Sequence, residues 1–121
     1  MTQKEITIKG KQYLATFDLQ TMLNFESNTG RSFFNVNFEN MSLDDRINII
    51  HAAVKSADDK TTLTIDGIKG QRSFDDMKAI MTASNEIIIM SADFFPIPEI
   101  EKKNNPEEQS EEKTEGEGAK N

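Results

Sequence analysis

Apolar residues all but stop at Pro98, and that boundary sets how much chain is available to make a core. From Glu99 to Asn121 there is no aromatic residue, and the aliphatic ones are Ile100 and Ala119 alone. The same stretch carries eight Glu and four Lys. A segment of this kind cannot bury enough surface to offset the entropy of ordering it. The sequence therefore divides into a folded unit over residues 1–97 and a disordered acidic tail over 98–121. A domain of roughly 95 residues buries about two-thirds of the surface its unfolded chain exposes, enough for one core with little room for a deep cleft.

The folded unit opens as a β-hairpin over Glu5–Phe17. Placing Gly10-Lys11 in a two-residue type II′ turn sets Ile8 opposite Tyr13, Ile6 opposite Ala15 and Lys4 opposite Phe17. Ile6, Ile8, Tyr13, Ala15 and Phe17 then share one face, which must cover helices because a lone hairpin is marginal in water. Asp18 is placed to cap a first helix over about Leu19–Asn28, with Leu19, Met22 and Leu23 as its apolar stripe and Gly30 as its stop. Ser42 opens a second helix in which Leu43, Ile47, Ile50 and Val54 fall on one face. Residues 57–71 read as a polar connector with a short strand at Leu63-Thr64-Ile65. Ser73 caps a third helix running to about Phe95, with Asp75 and Asp76 in its first turn and a kink near Thr82–Asn85; Pro96 and Pro98 close it. The expected fold class is α+β: an N-terminal hairpin packed on a small bundle of three or four helices.

Charge and composition exclude several function classes. The 121 residues carry 14 basic and 21 acidic side chains, a net charge of −7. Lys and Arg are scattered, and their one cluster, Lys102-Lys103, sits among glutamates. Phosphate-backbone binding needs a basic patch, so neither nucleic acid nor an anionic membrane is an expected partner. The chain has no cysteine, which removes disulfides, thiolate nucleophiles and cysteine zinc sites together. Its first residues are polar, and its longest apolar run, Ile87-Ile88-Ile89-Met90, is far short of a membrane span. A soluble, cytoplasmic protein is the expectation.

Reactive equipment is sparse. His51, the one histidine, lies at the edge of the second helix's stripe and reads as a boundary packing residue, with no second His or Cys to build a common zinc site. Asp58-Asp59-Lys60 and Asp66-Gly67 lack the order of a calcium loop. Gly67-Ile68-Lys69-Gly70 lacks the spacing and the Lys-Ser/Thr end of a phosphate loop. The pairs Asp44-Asp45 and Asp75-Asp76 sit in first turns, where capping accounts for them. No catalytic residue, metal or cofactor is expected, and the chain reads as a binding protein rather than an enzyme.

Three features carry a choice. Glu26 projects into the first helix's apolar stripe, where a carboxylate is costly unless paired or hydrogen-bonded. It either ties down the loop over Gly30–Phe33 or serves recognition. Phe33, Phe34 and Phe38 either plug the open end of a small core or form an exposed patch of the kind that marks interaction sites. The third helix carries two apolar stripes: Phe74, Met77, Met81, Ile88 and Ala92 on one face, and Ile80, Ile87 and Phe94, with Met90 nearby, about 120° away. So short a domain has trouble wrapping both, which makes Ile80, Ile87, Met90 and Phe94 candidates for a partner-binding face, self-association included.

The run Ile6-Thr7-Ile8-Lys9-Gly10-Lys11-Gln12-Tyr13-Leu14-Ala15-Thr16-Phe17 leads into Asp18-Leu19-Gln20-Thr21-Met22-Leu23-Asn24-Phe25-Glu26 and then Thr29-Gly30-Arg31-Ser32-Phe33. It resembles the start of tail assembly chaperones of long-tailed bacteriophages and of the related gene-transfer-agent tail proteins. The resemblance spans roughly residues 5–95 and is strongest over 6–33; the polar stretch 58–71 departs from the helical run such proteins have there. It implies a non-enzymatic role: coating the hydrophobic tape-measure protein before the tail tube polymerises around it, and contacting tail-tube subunits through a C-terminal extension, for which the acidic tail is suited. The alternative is a small prophage-encoded interaction module or adaptor without chaperone action.

Overall fold

The computed structural model describes residues 3–95; the acidic segment 98–121 lies outside the described residues. Two antiparallel strands, β1 (Gln3–Ile8) and β2 (Lys11–Thr16), precede four helices: α1 (Leu19–Thr29), α2 (Leu43–Ala57), the single-turn α3 (Ile65–Lys69) and α4 (Phe74–Phe94). Two 3-10 turns, Phe33–Asn35 and Phe38–Asn40, lie between α1 and α2. The α+β class expected from the sequence is the class observed.

The hairpin turn lies one residue earlier than expected, which shifts the strand register by two. Lys9 and Gly10, not Gly10 and Lys11, form the loop, with φ of 57° and 76°. Two consecutive positive φ values make a type I′ turn, whose twist matches that of the flanking strands. Glycine bears the second value without steric cost, while Lys9 takes a conformation uncommon for its type. The register becomes Ile8 opposite Lys11, Ile6 opposite Tyr13 and Lys4 opposite Ala15. A shift of two preserves side-chain parity, so the inner face survives the correction. Ile6, Ile8, Ala15 and Phe17 are buried, Tyr13 is half-buried, and Leu14 on the other face is exposed.

Side-chain caps set the helix boundaries. The Asp18 carboxylate accepts the Thr21 amide at 3.0 Å while the Thr21 hydroxyl accepts the Asp18 amide at 3.2 Å, the reciprocal arrangement that satisfies two otherwise orphaned donors. Burial pushes the Asp18 carboxyl up, but hydrogen bonds from the Ser56 hydroxyl and from Thr21 outweigh it and hold the pKa below the usual carboxylate value. Gly30 ends α1 at φ 72°. Ser42 caps α2, Thr64 caps α3, and Ser73 forms a capping box with Asp76 on α4. The short strand expected at Leu63–Ile65 is not formed. Leu63 is buried, Thr64 turns the chain, and α3 sets Ile68 fully into the core.

α2 is the central element. It packs against α1, α3, α4 and β2, and its buried residues, Ile47, Asn48, Ile49, Ile50, Ala52, Ala53 and Val54, surround most of its circumference. The single face expected for it is too narrow, and Leu43 at its start is exposed. Ala52 and Ala53 let neighbouring elements approach closely. In α1, Thr21, Met22 and Phe25 are buried, whereas Leu19 and Leu23 face outward, contrary to the expected stripe.

α4 runs unbroken for 21 residues and buries Ile80, Ala83, Ser84, Ile87, Met90 and Ser91. The two-faced reading of this helix is thereby corrected. The stripe expected to be free holds Ile80, Ile87 and Met90 in the core, so the folded domain offers no partner-binding surface at those three positions. On the other stripe Phe74 and Ala92 are exposed, while Met77, Met81 and Ile88 are half-buried. The physical reason lies in the small residues: Ala83 and Ser84, set among the isoleucines, let α2 and the hairpin close onto that side.

Candidate functional site

Seven of the eight phenylalanines of the chain form one network of rings. Its hub is Phe33, 2 % exposed. The Phe33 ring lies 5.6 Å from Phe17, 5.8 Å from Phe25, 6.0 Å from Phe34, 5.5 Å from Phe38 and 6.4 Å from Phe95, centroid to centroid. Phe94 joins through Phe17 at 5.7 Å and Phe95 at 5.0 Å. Most of these pairs are tilted or edge-on, the geometries that place a ring's positive edge against a negative face.

Local sequence explains the convergence. Gly30 releases the chain from α1, and the Ser32 hydroxyl accepts the Phe34 amide to start a 3-10 turn. The Glu26 carboxylate accepts the Phe33 amide at 2.8 Å, which draws the loop back over α1 and seats the Phe33 ring between Phe17 and Phe25. Glu26 is half-buried rather than buried as expected, since the flank it shares with Leu19 and Leu23 faces outward, and its carboxylate holds the loop through this bond. Replacing it by glutamine keeps an acceptor but removes the charge assistance. Glu26→Gln is expected to lower stability by about 1 kcal/mol, a drop of roughly 4–8 °C in a domain this size, measurable by thermal denaturation.

The network is buried at its centre and open at its rim. Phe17, Phe25 and Phe33 are core residues, Phe38 and Phe95 are half-buried, and Phe94 and Phe34 are 38 % and 73 % exposed. Three of the candidate interaction residues, Phe34, Phe38 and Phe94, therefore belong to one aromatic pole, Phe34 and Phe38 packed directly on Phe33 and Phe94 joined to it through Phe17 and Phe95. Leu19 and Leu23, both exposed, share a flank of α1 with Glu26 at helical spacing. Sequence reasoning missed Phe95 as a site residue. The signal was the adjacent pair Phe94-Phe95 at a helix end, where one helical phase cannot bury both rings.

The other titratable candidates are engaged in packing. Asn28 donates to His51 Nδ1 at 3.0 Å, linking α1 to α2, which makes the accepting nitrogen unprotonated. Burial, and then the nearby Lys55 charge, lower the His51 pKa below its ordinary value. Arg46 donates to the Ser84 hydroxyl at 2.8 Å and to Asn85 Oδ1 at 2.9 Å, tying α2 to α4. Among the described residues no group of three His, Cys, Asp or Glu is placed to hold a metal ion, and no helix is long and apolar enough to cross a membrane.

Two further depressions flank the core. An open polar one of about 550 Å³ is lined by Gln20, Asn24, Lys55, Ser56, Asp58 and Asp59. An apolar groove of about 280 Å³ runs between Leu43 and Ile47 of α2, Ile68 of α3 and Met77 of α4. Phe74, 69 % exposed, stands at the start of α4. Comparison of the chain with protein-family models, curated proteins and solved structures gave no match.

Proposed function

We propose that this chain is a protein-binding chaperone of the tail-assembly kind and that the aromatic pole is the surface on which it holds an apolar helical client. The observation that carries the reading is the exposure of Phe34 and Phe94 beside half-buried Phe38 and Phe95, on a base of locked rings. Exposed aromatic clusters on small domains mark interaction sites, and rigid aromatic anchors supply much of the energy of protein interfaces. A firm base suits this work, because the rings present large apolar area while losing little freedom on binding. The glutamate-rich sequence that follows the pole supplies net charge, which opposes non-specific association of so sticky a surface. With the resemblance set out above, the client is a tape-measure protein, and tail-tube subunits are a second partner.

The test is co-expression with the long apolar tape-measure product of the same gene cluster, followed by co-purification. The Phe34→Ser, Phe94→Ser double variant is expected to keep a cooperative thermal transition and to recover roughly tenfold less client or below. Undiminished recovery by a folded double variant overturns the reading. Loss of a different, folded partner without any effect on client solubility favours the adaptor alternative.

A further inference from the structure

We propose that Ile97 and Ile100 of the same chain cover the rim of the aromatic pole, and that a client displaces them. The displacement rests on the client-binding reading above; the covering rests on the rings and on the sequence that leaves them. Phe34 is 73 % exposed and Phe94 38 %, with Phe38 and Phe95 half-buried beside them. Apolar area of this kind gains free energy when chain of suitable chemistry within reach removes it from water.

The segment that follows α4 has that chemistry. Phe95, the residue that ends the helix, takes an extended conformation at φ −96° and ψ 104°. Residues 96–121 lie outside the described residues. Their sequence opens Pro96-Ile97-Pro98-Glu99-Ile100-Glu101, and after Ile100 it holds only polar residues, proline, glycine and alanine. The two prolines fix their own φ and drive Phe95 and Ile97 toward extended backbone. The conformation so favoured is polyproline II, with three residues per turn and about 3.1 Å of rise. Residues three apart then share one edge, so Ile97 and Ile100 line up about 9 Å apart while Glu99 falls on another edge. Aromatic surfaces are recurrent receptors for such segments, which are stiff before docking and lose little entropy on it.

Reach selects the same chain as the source. Phe34 and Phe95 both lie against Phe33, with centroids 6.0 and 6.4 Å from it. Five extended residues after Phe95 span up to about 17 Å, enough to carry Ile100 across the Phe33 ring to Phe34. A tether this short gives a local concentration on the order of millimolar, which a second copy in dilute solution does not match. The groove at Leu43, Ile47 and Met77 is out of range, since Met77 lies about 27 Å from Phe95 along the axis of α4.

Amide relaxation of the full chain by NMR tests the covering. Order parameters at Ile97, Glu99 and Ile100 are expected above about 0.6, the boundary of flexible backbone, with residues 107–121 below it. They are expected to be equal in dilute and concentrated samples, and to fall below about 0.6 in a folded Phe34→Ser chain. In the Ile97→Ser, Ile100→Ser chain, whose substitutions lie beyond α4, the Phe34 and Phe38 amide resonances are expected to shift. A soluble helical fragment of the client is expected to bind that chain roughly threefold tighter or more, because the pole is no longer occupied. Residues 97–100 as mobile as 107–121, or unmoved Phe34 and Phe38 resonances in the serine chain, overturn the covering. Order that rises with protein concentration assigns the segment to the pole of a second copy and overturns it too. A fragment that perturbs the pole yet binds both chains equally overturns the displacement. A fragment that leaves the pole silent while residues 97–100 stay ordered overturns the client reading and upholds the covering.

Discussion

Replacing Ile87 by aspartate is expected to leave a chain with no cooperative thermal transition. Ile87 is 0 % exposed and sits on the side of α4 that faces α2 and the hairpin. The substitution forfeits the burial of a branched aliphatic side chain, about 1.5–3 kcal/mol. It also places a carboxylate where water does not reach, and an unpaired buried charge costs several kcal/mol more. Natural domains are stable by about 5–15 kcal/mol, and one this small falls toward the low end. The combined loss equals or exceeds the whole. Ile89→Asp is the matched control: Ile89 is 65 % exposed, so its replacement is expected to move stability by no more than about 0.5 kcal/mol. Near-ultraviolet circular dichroism melts of the two variants read the difference, and a folded Ile87→Asp chain with a wild-type transition contradicts the placement of α4.

Phe33→Ala is expected to cost about 3–5 kcal/mol, and to remove client binding along with the stability. Its ring contacts Phe17, Phe25, Phe34, Phe38 and Phe95, so its deletion opens a cavity that no single neighbour can refill. The rim residues lose their backing at the same time. Phe34→Ala removes the most exposed ring of the pole and is expected to cost well under about 1 kcal/mol in stability while still weakening the client complex. The contrast separates the plug from the contact surface. Denaturant unfolding supplies the stabilities, and equal losses for the two variants would show that the pole is not layered in this way.

The parts of this fold that the sequence made legible are those fixed by local chemistry. Asp18, Ser42 and Ser73 mark helix starts because a side-chain oxygen there meets an unpaired amide, and Gly30 marks an end because it accepts a positive φ. The inner face of the hairpin was legible even though its turn was misplaced, since a two-residue slip leaves alternation intact. What was not legible depends on what packs against what. Two stripes on α4 looked equivalent by count of large apolar residues, and the choice between them rests on Ala83 and Ser84 admitting α2. α2 looked one-sided because periodicity does not reveal that a helix has neighbours on most of its circumference. Leu19 and Leu23 looked like core because they are apolar and correctly spaced, whereas α1 packs through Met22 and Phe25. At the candidate site, Phe33, Phe34 and Phe38 stood out by composition. Their union with Phe94 and Phe95, more than fifty residues away in sequence, is a tertiary event that no local pattern encodes.

The central claim is that a rigid pole of phenylalanines, and not another face of the domain, is where an apolar protein client is held. Amide chemical-shift mapping during titration with a soluble helical fragment of the client addresses it most directly. The expected result is a set of perturbed amides at Phe34, Phe38, Phe94 and Phe95, with the hairpin turn unmoved. Perturbations confined to the groove of Leu43, Ile47 and Met77, with the aromatic pole silent, would contradict it.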